Sequence, residues 1–325
     1  MKISAVKLYD KGYMLQPFAF GGEDGPEAFD PAVRYRSSLQ NYVIDTGDEV
    51  ILVDTGMPKE VPQAVPDAAT PIFMGIKGDD YVDALKKLGY EPEQISKILI
   101  THKHADHTGE LRNFPNAKIY ASVEECETEE LLHYPNLVPV AFCKKGYENF
   151  PAAEKIAEGV WFVQAKGHTA GNSIVIVEDG ELYYMIHGDV TYTDEALYEN
   201  KLSVVYEDLA AARETLDRVR DLSAAIRRST ARPIRRWAMR TWKRKPSAIW
   251  TIRRRASRHR TSRRRKPPES ISARSAAMCM TLPNMTAPAL NNCRRTGNAR
   301  AAVSRRINST GHEAGEKARV IPGIR

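Results

Sequence analysis

One stretch constrains this chain more than any other: Thr101-His102-Lys103-His104-Ala105-Asp106-His107-Thr108-Gly109-Glu110. Three histidines and an aspartate fall within six positions, a density that neither core packing nor a solvated face accounts for. They follow Ile95-Ser96-Lys97-Ile98-Leu99-Ile100, a short apolar, β-branched run that predicts a buried strand. In extended backbone His102 and His104 project to the same side. Asp106 and His107 come after the turn and face a second point a few ångströms away. One loop can therefore hold two cations, and imidazole with carboxylate is a borderline donor set suited to zinc-like metals. A buried charged cluster without a metal would be costly.

The pattern His102-x-His104-x-Asp106-His107 matches the His-x-His-x-Asp-His signature of the metallo-β-lactamase superfamily. Three further segments resemble that superfamily's other motifs, in the expected order: Asp54-Thr55-Gly56, Gly167-His168-Thr169-Ala170-Gly171-Asn172 and Gly188-Asp189-Val190-Thr191-Tyr192. The Asp-x-x-Tyr formed by Asp189 and Tyr192 looks most like the N-acyl homoserine lactonase branch. The resemblance covers residues 1–222 and then stops.

The resemblance implies an α+β fold, the four-layer αββα sandwich, incomplete at its C-terminal end. It implies that His102, His104 and His168 hold a first zinc ion. Asp106 and His107, with one more histidine, hold a second, and Asp189 bridges the two. Asp54 supports the loop from behind rather than binding metal, which matters because such groups fix ligand orientation. The implied activity is that of a metal-dependent hydrolase, in which hydroxide generated at a dinuclear zinc site attacks a lactone (ester) carbonyl, N-acyl homoserine lactones among the substrates. Asp106 and Tyr192 are the catalytic candidates, Tyr192 as a hydrogen-bond donor to the carbonyl or oxyanion. Histidine rather than glutamate at position 104 argues against the diiron oxidoreductase branch. Ala105 departs from the bulkier aromatic often found there in lactonases. Three alternatives stand beside the lactonase reading: a thioesterase of glyoxalase II type, a phosphodiesterase of the same fold, or a catalytically impaired binding protein with a basic tail.

The net charge of +7 over 325 residues hides a sharp break. Residues 1–222 carry 21 Lys+Arg against 38 Asp+Glu, a net of −17, whereas residues 223–325 carry 27 against 3, a net of +24. The acidic first part disfavours a nucleic-acid substrate through phosphate repulsion, so nucleic acid is expected only as a partner of the basic tail. A small-molecule ester or lactone is the expected substrate. Cys126, Cys143, Cys279 and Cys293 form no Cys-x-x-Cys pair and read as free thiols in a reducing cytosol. The start lacks an apolar leader and no run of about 18 apolar residues occurs, so the reading is a cytoplasmic protein with no membrane partner.

Strands are predicted over residues 4–9, 42–44, 49–53, 95–100, 117–121, 160–163, 173–177 and 182–186, the last two joined at Asp179-Gly180. Helices are predicted over 79–88, closed by Gly89, over 123–133 as an acidic solvated face, and over 203–222 with Leu209, Ala212, Leu216 and Val219 on one face. Residues 58–78, with four prolines, read as an irregular loop able to cover the site. His133 reads as a surface histidine.

Beyond Leu222 the periodicity vanishes and Arg-rich runs take over, so the domain organisation reads as a catalytic domain over 1–222 and an Arg-rich tail over 223–325 that is disordered or frame-shifted. Residues 233–245 back-translate, with suitable synonymous codons, to a string that two bases later reads His-Thr-Pro-Leu-Gly-Tyr-Glu-Asn-Leu-Glu-Ala-Lys. The hidden histidine falls where the resemblance requires the missing ligand. The hypothesis is a frameshift near residues 222–230, which leaves the printed chain without its last metal-ligand histidine. Neither His259 nor His312 is named as a replacement.

Overall fold

Why the buried strands read as nearly continuous apolar runs becomes clear once the layers are in place. The structure is a computed structural model that describes residues 1–230 and 249–253, apart from Ser38, Ala68, Ala69, Cys143, Lys144 and Glu181. All of this belongs to the first of two units into which the chain divides, Met1–Thr261. Cys279, Cys293, His259, His312 and the Arg-rich runs lie outside the described residues, as does Cys143.

The first part supplies strands β1 (Lys2–Lys7), β2 (Tyr9–Asp10), β3 (Tyr13–Leu15), β4 (Arg34–Arg36), β5 (Gln40–Asp45), β6 (Val50–Val53), β7 (Ile72–Phe73) and β8 (Ile76–Lys77), with a short helix α1 (Gln16–Phe20). Then come α2 (Tyr81–Lys87), β9 (Ile95–Leu99), α3 (Ala105–Thr108), β10 (Lys118–Ser122), α4 (Val123–Cys126) and β11 (Leu137–Val140). The remainder holds β12 (Ala153–Ala157), β13 (Val160–Gln164), β14 (Ser173–Asp179), β15 (Leu182–Ile186), α5 (Asp194–Glu199), α6 (Leu209–Thr230) and β16 (Ile249–Arg253). One sheet runs β1-β5-β6-β9-β10-β11 and the other β12-β13-β14-β15-β16.

The two sheets face each other across Ile44, Ile51, Val53 and Leu99 on one side and Val160, Phe162, Val175 and Val177 on the other. The alternate residues of the same strands point outward. Val43, Leu52 and Ile98 meet Tyr81 and Leu85 of α2, while Ile174, Ile176 and Met185 meet Leu216, Val219 and Leu222 of α6. This is the four-layer αββα sandwich. Strands covered on both faces need apolar residues at every position, and each such buried side chain stabilises by ~1.5–3 kcal/mol.

Several elements differ from the sequence expectation. The helix expected over 123–133 is only α4, because the Thr128 hydroxyl donates to the Glu125 carbonyl at 2.7 Å and closes the turn. The helix expected over 203–222 starts six residues later and runs past Leu222 to Thr230, leaving Leu209 39% exposed while Ala212, Leu216 and Val219 are buried. The sandwich expected to be incomplete at its C-terminal end has a further strand there, β16, which pairs antiparallel with β15, Tyr184 opposite Thr251. The proline-rich loop also contributes the two short strands β7 and β8.

The topology gathers the motifs at one end. β6 and β9 are parallel, with Val53 beside Leu99, so Asp54 and Thr101 leave neighbouring strand ends together. β13 leads into the loop of His168, and β15 ends at His187-Gly188-Asp189.

Candidate metal centre

His102 leaves the end of β9 and is fully buried, while His104, in extended backbone (φ −60°, ψ 147°), caps the N-terminus of α3. One turn of α3 then brings Asp106 and His107 to the far side. Gly167, at φ 131°, holds the next loop against α6, where a Cβ would lie 2.1 Å from the Ala212 nitrogen. This contact explains the glycine before His168.

Three imidazole nitrogens converge. His102 Nε2 lies 3.0 Å from His104 Nδ1 and 3.2 Å from His168 Nε2, and the last two are 3.1 Å apart. Asp189 joins them, with Oδ2 3.6 Å from His168 Nε2, and His102, His104, His168 and Asp189 form one four-residue cluster. The other oxygen of Asp189 faces a second cluster, 3.5 Å from His107 Nε2, which in turn is 3.6 Å from Asp106 Oδ2.

Asp54 stands behind both. Its Oδ1 accepts from the Thr101 backbone N–H at 2.8 Å, and its Oδ2 accepts from the Thr101 hydroxyl at 2.9 Å and from His107 Nδ1 at 2.8 Å. That bond assigns the ring proton to Nδ1 and leaves the buried Nε2 of His107 without a hydrogen-bond partner, aimed at two carboxylates. His168 is fixed in the same way, its Nδ1 donating to the Val205 carbonyl at 3.1 Å. The Tyr192 hydroxyl donates to Asp189 Oδ2 at 3.0 Å, and its ring is 5.7 Å from that of Phe18.

The charge balance is local. Burial and the positive charge of neighbouring imidazoles hold His102 well below the usual imidazole range. At His107 burial acts the same way, but the carboxylates of Asp54, Asp106 and Asp189 outweigh it and raise the group well above that range. Burial also opposes ionisation of Asp189, yet His107, His168 and His102 pull it well below the carboxylate range. Asp106 is raised by burial. His187 is buried, pushed down to about 4 by that burial, and belongs to neither cluster.

The donor sets fit divalent cations of the zinc type. A tetrahedron with ~2.0–2.1 Å zinc–nitrogen bonds has edges of roughly 3.3 Å, close to the separations among the three histidines. Nitrogens this close cannot all be satisfied by protons, and His107 Nε2, buried and without a hydrogen-bond partner, faces the carboxylates of Asp106 and Asp189 across a gap that a cation would fill.

The sequence-derived residues are thus found together: His102, His104, His168 and Asp189 in one cluster, Asp106, His107 and Asp189 in the other, with Asp54 and Tyr192 hydrogen-bonded to them. His133 is exposed and belongs to neither cluster. Sequence reasoning missed Thr101, which shares the Asp54 carboxylate, and Glu125, which it assigned to a solvated face although it is 1% exposed. A Ser-x-x-Glu spacing at Ser122 and Glu125 was the available signal.

The fold and this site define a metallo-hydrolase. The family model for the metallo-beta-lactamase superfamily matches residues 40–227, more than half of the chain, and the chain belongs to that superfamily. Among curated relatives, an N-acyl homoserine lactonase from a Bacillus species is 30% identical over 202 residues, covering 56% of this chain and 74% of that protein. A probable metallo-hydrolase of Mycobacterium tuberculosis is 25% identical over 174 residues, covering 46% and 56%. Among solved structures, a Bacillus thuringiensis AiiA variant with N-decanoyl-L-homoserine at its active site superposes with a TM-score of 0.55 at 21% identity, covering 69% of this chain and 89% of that one. These superpositions establish the fold. Among the described residues no helix is long and apolar enough to cross a membrane.

Proposed function

We propose that the chain opens lactone rings by metal-dependent hydrolysis, with N-acyl homoserine lactones as the substrate class. One observation carries the reading: a single carboxylate, Asp189, offers one oxygen to each of two donor clusters and carries the Tyr192 hydroxyl on the same group. The names of the relatives support the substrate class.

His102, His104, His168 and Asp189 would hold one cation, and Asp106, His107 and Asp189 the other. Divalent cations of the zinc type, when bound, supply Lewis acidity, polarising a carbonyl and making water acidic enough to ionise near neutral pH. The chain's own groups do the rest. Asp54 holds His107 in the tautomer whose Nε2 is free to act as a donor atom. Asp106, at 19% side-chain exposure, takes the proton given up by the attacking water and returns it to the leaving alkoxide. Tyr192 turns its hydroxyl from Asp189 to the substrate carbonyl and donates to the developing oxyanion. Phe18, beside Tyr192, provides an apolar wall for an acyl chain.

The test is hydrolysis by the full chain of a panel of lactones, thioesters and phosphodiesters, with and without a chelator. Chelator-sensitive turnover confined to lactones supports the reading. Turnover confined to thioesters or phosphodiesters replaces it with another branch of the superfamily, and salt-sensitive DNA binding with no turnover replaces it with the binding-protein alternative.

A further inference from the structure

We infer that Glu125 is a positioning residue for the metal centre, bracing the two loops that carry its histidines; the inference rests on the proposed function of that site. Glu125 lies on α4, outside every motif described above, and is buried. Its Oε2 accepts from the Lys103 backbone N–H at 2.8 Å, between His102 and His104. Its Oε1 accepts from the Thr169 hydroxyl at 2.6 Å and from the Gly171 N–H at 2.9 Å, in the loop of His168. One carboxylate therefore ties position 103 to positions 169 and 171, on either side of the point where three imidazole nitrogens meet within 3.2 Å.

The local sequence is arranged for this. Ser122 caps α4 by accepting from the Glu125 backbone N–H at 3.3 Å, which leaves the Glu125 side chain free to reach away from the helix. Gly171 makes room for both side chains, since a Cβ there would lie 2.1 Å from Ser122 Oγ, 2.7 Å from Glu125 Cγ and 2.8 Å from Oε1. The second glycine of the His168 motif is thus explained by the Ser122 hydroxyl and the Glu125 side chain beneath it. A buried acceptor shared by three donors is costly to break and geometrically exacting. The neighbouring Glu124 points elsewhere, to Lys166 at 2.5 Å, and is 36% exposed.

The experiment measures zinc affinity by chelator competition, and the visible absorption of the cobalt-loaded protein, on the full chain and on Glu125→Gln, Thr169→Val and Glu124→Gln. Glu125→Gln is expected to lower affinity about 10–100-fold and to alter the cobalt bands, which report coordination rather than folding. Thr169→Val, which removes one donor at nearly constant volume, is expected to shift both in the same direction by less, and decides the matter should Glu125→Gln not fold. Glu124→Gln is expected to match the parent within about twofold, as an exposed pair should. Parental affinity and spectrum in both Glu125→Gln and Thr169→Val overturn the inference alone. A parent chain that binds no zinc overturns the proposed function together with it.

Discussion

Asp54 Oδ2 stands 2.8 Å from Nδ1 of His107, and this contact decides which ring nitrogen of His107 is left to act as a donor. Asp54 itself is held at φ 60°, a left-handed backbone conformation that aspartate and asparagine tolerate better than bulky residues. Replacing it by asparagine therefore leaves the backbone alone and removes the charge shared by Thr101 and His107. Asp54→Asn is expected to weaken metal binding at the His107 cluster about 10–100-fold. Metal content after dialysis against a graded chelator series checks it, and unchanged retention would show that the contact is only structural.

Tyr192 makes its recorded hydrogen bond to Asp189 rather than to a backbone group, so its hydroxyl is available to the site. Tyr192→Phe keeps the packing against Phe18 and deletes one donor. The expected outcome is a fall in kcat of ~10²–10³-fold with metal content unchanged. A variant with the parental kcat would remove Tyr192 from the mechanism.

The centre was legible in the sequence because its donor residues are rare types at fixed spacings. What supports it was not. Glu125 sits among five glutamates in ten positions, and nothing in that composition separates the buried one from its exposed neighbours. The difference arises from Gly171, 46 residues away, whose missing side chain admits the carboxylate. Boundaries failed for similar reasons. Residues 203–208 carry helix-compatible residues, but Glu207 donates its backbone N–H to the Gly167 and His168 carbonyls, which pins the segment as a loop until Leu209. Strand β11 escaped notice because Pro139 interrupts a run of only four residues, which a sheet edge tolerates.

The two clusters are unequal. One has four donor residues and the other three, among the described residues, with Asp189 counted in both. Zinc titration of the metal-free full chain is therefore expected to show a tight first equivalent and a weaker second. Free zinc at 100 times its dissociation constant stabilises by ~2.7 kcal/mol, which for a domain of this size raises Tm by roughly 5–11 °C. Isothermal titration and thermal melts check both, and two equally tight equivalents would contradict the inequality.

Cys126, the last residue of α4, is buried with its Sγ donating to the Ala121 carbonyl of β10, and burial with the nearby glutamates pushes its thiol up to about 12. Below that pH the thiol form dominates, so at pH 8 only about one in 10⁴ is thiolate, and the thiolate is the reactive form. Peptide mapping after alkylation of the native chain at pH 8 is expected to find Cys126 unmodified, with labelling appearing when the chain is denatured. Rapid native labelling at Cys126 would show that the α4 region opens readily, and would weaken the case for a rigid brace at Glu125.

The family match ends at residue 227, inside the interval where the sequence turns from acidic to Arg-rich. A second cluster with three donor residues, a superfamily pattern that calls for one more histidine, and a +2 frame that supplies a histidine at the codons of residues 233–234 all point to the same interval. The expected outcome of resequencing the locus is an inserted or deleted base near codons 222–230. The frame-restored chain should then hold its second zinc at least tenfold more tightly than the printed one, since one further imidazole completes a four-donor set. A single uninterrupted frame in independently amplified genomic DNA would end this account and leave the weak second site as a property of the enzyme itself.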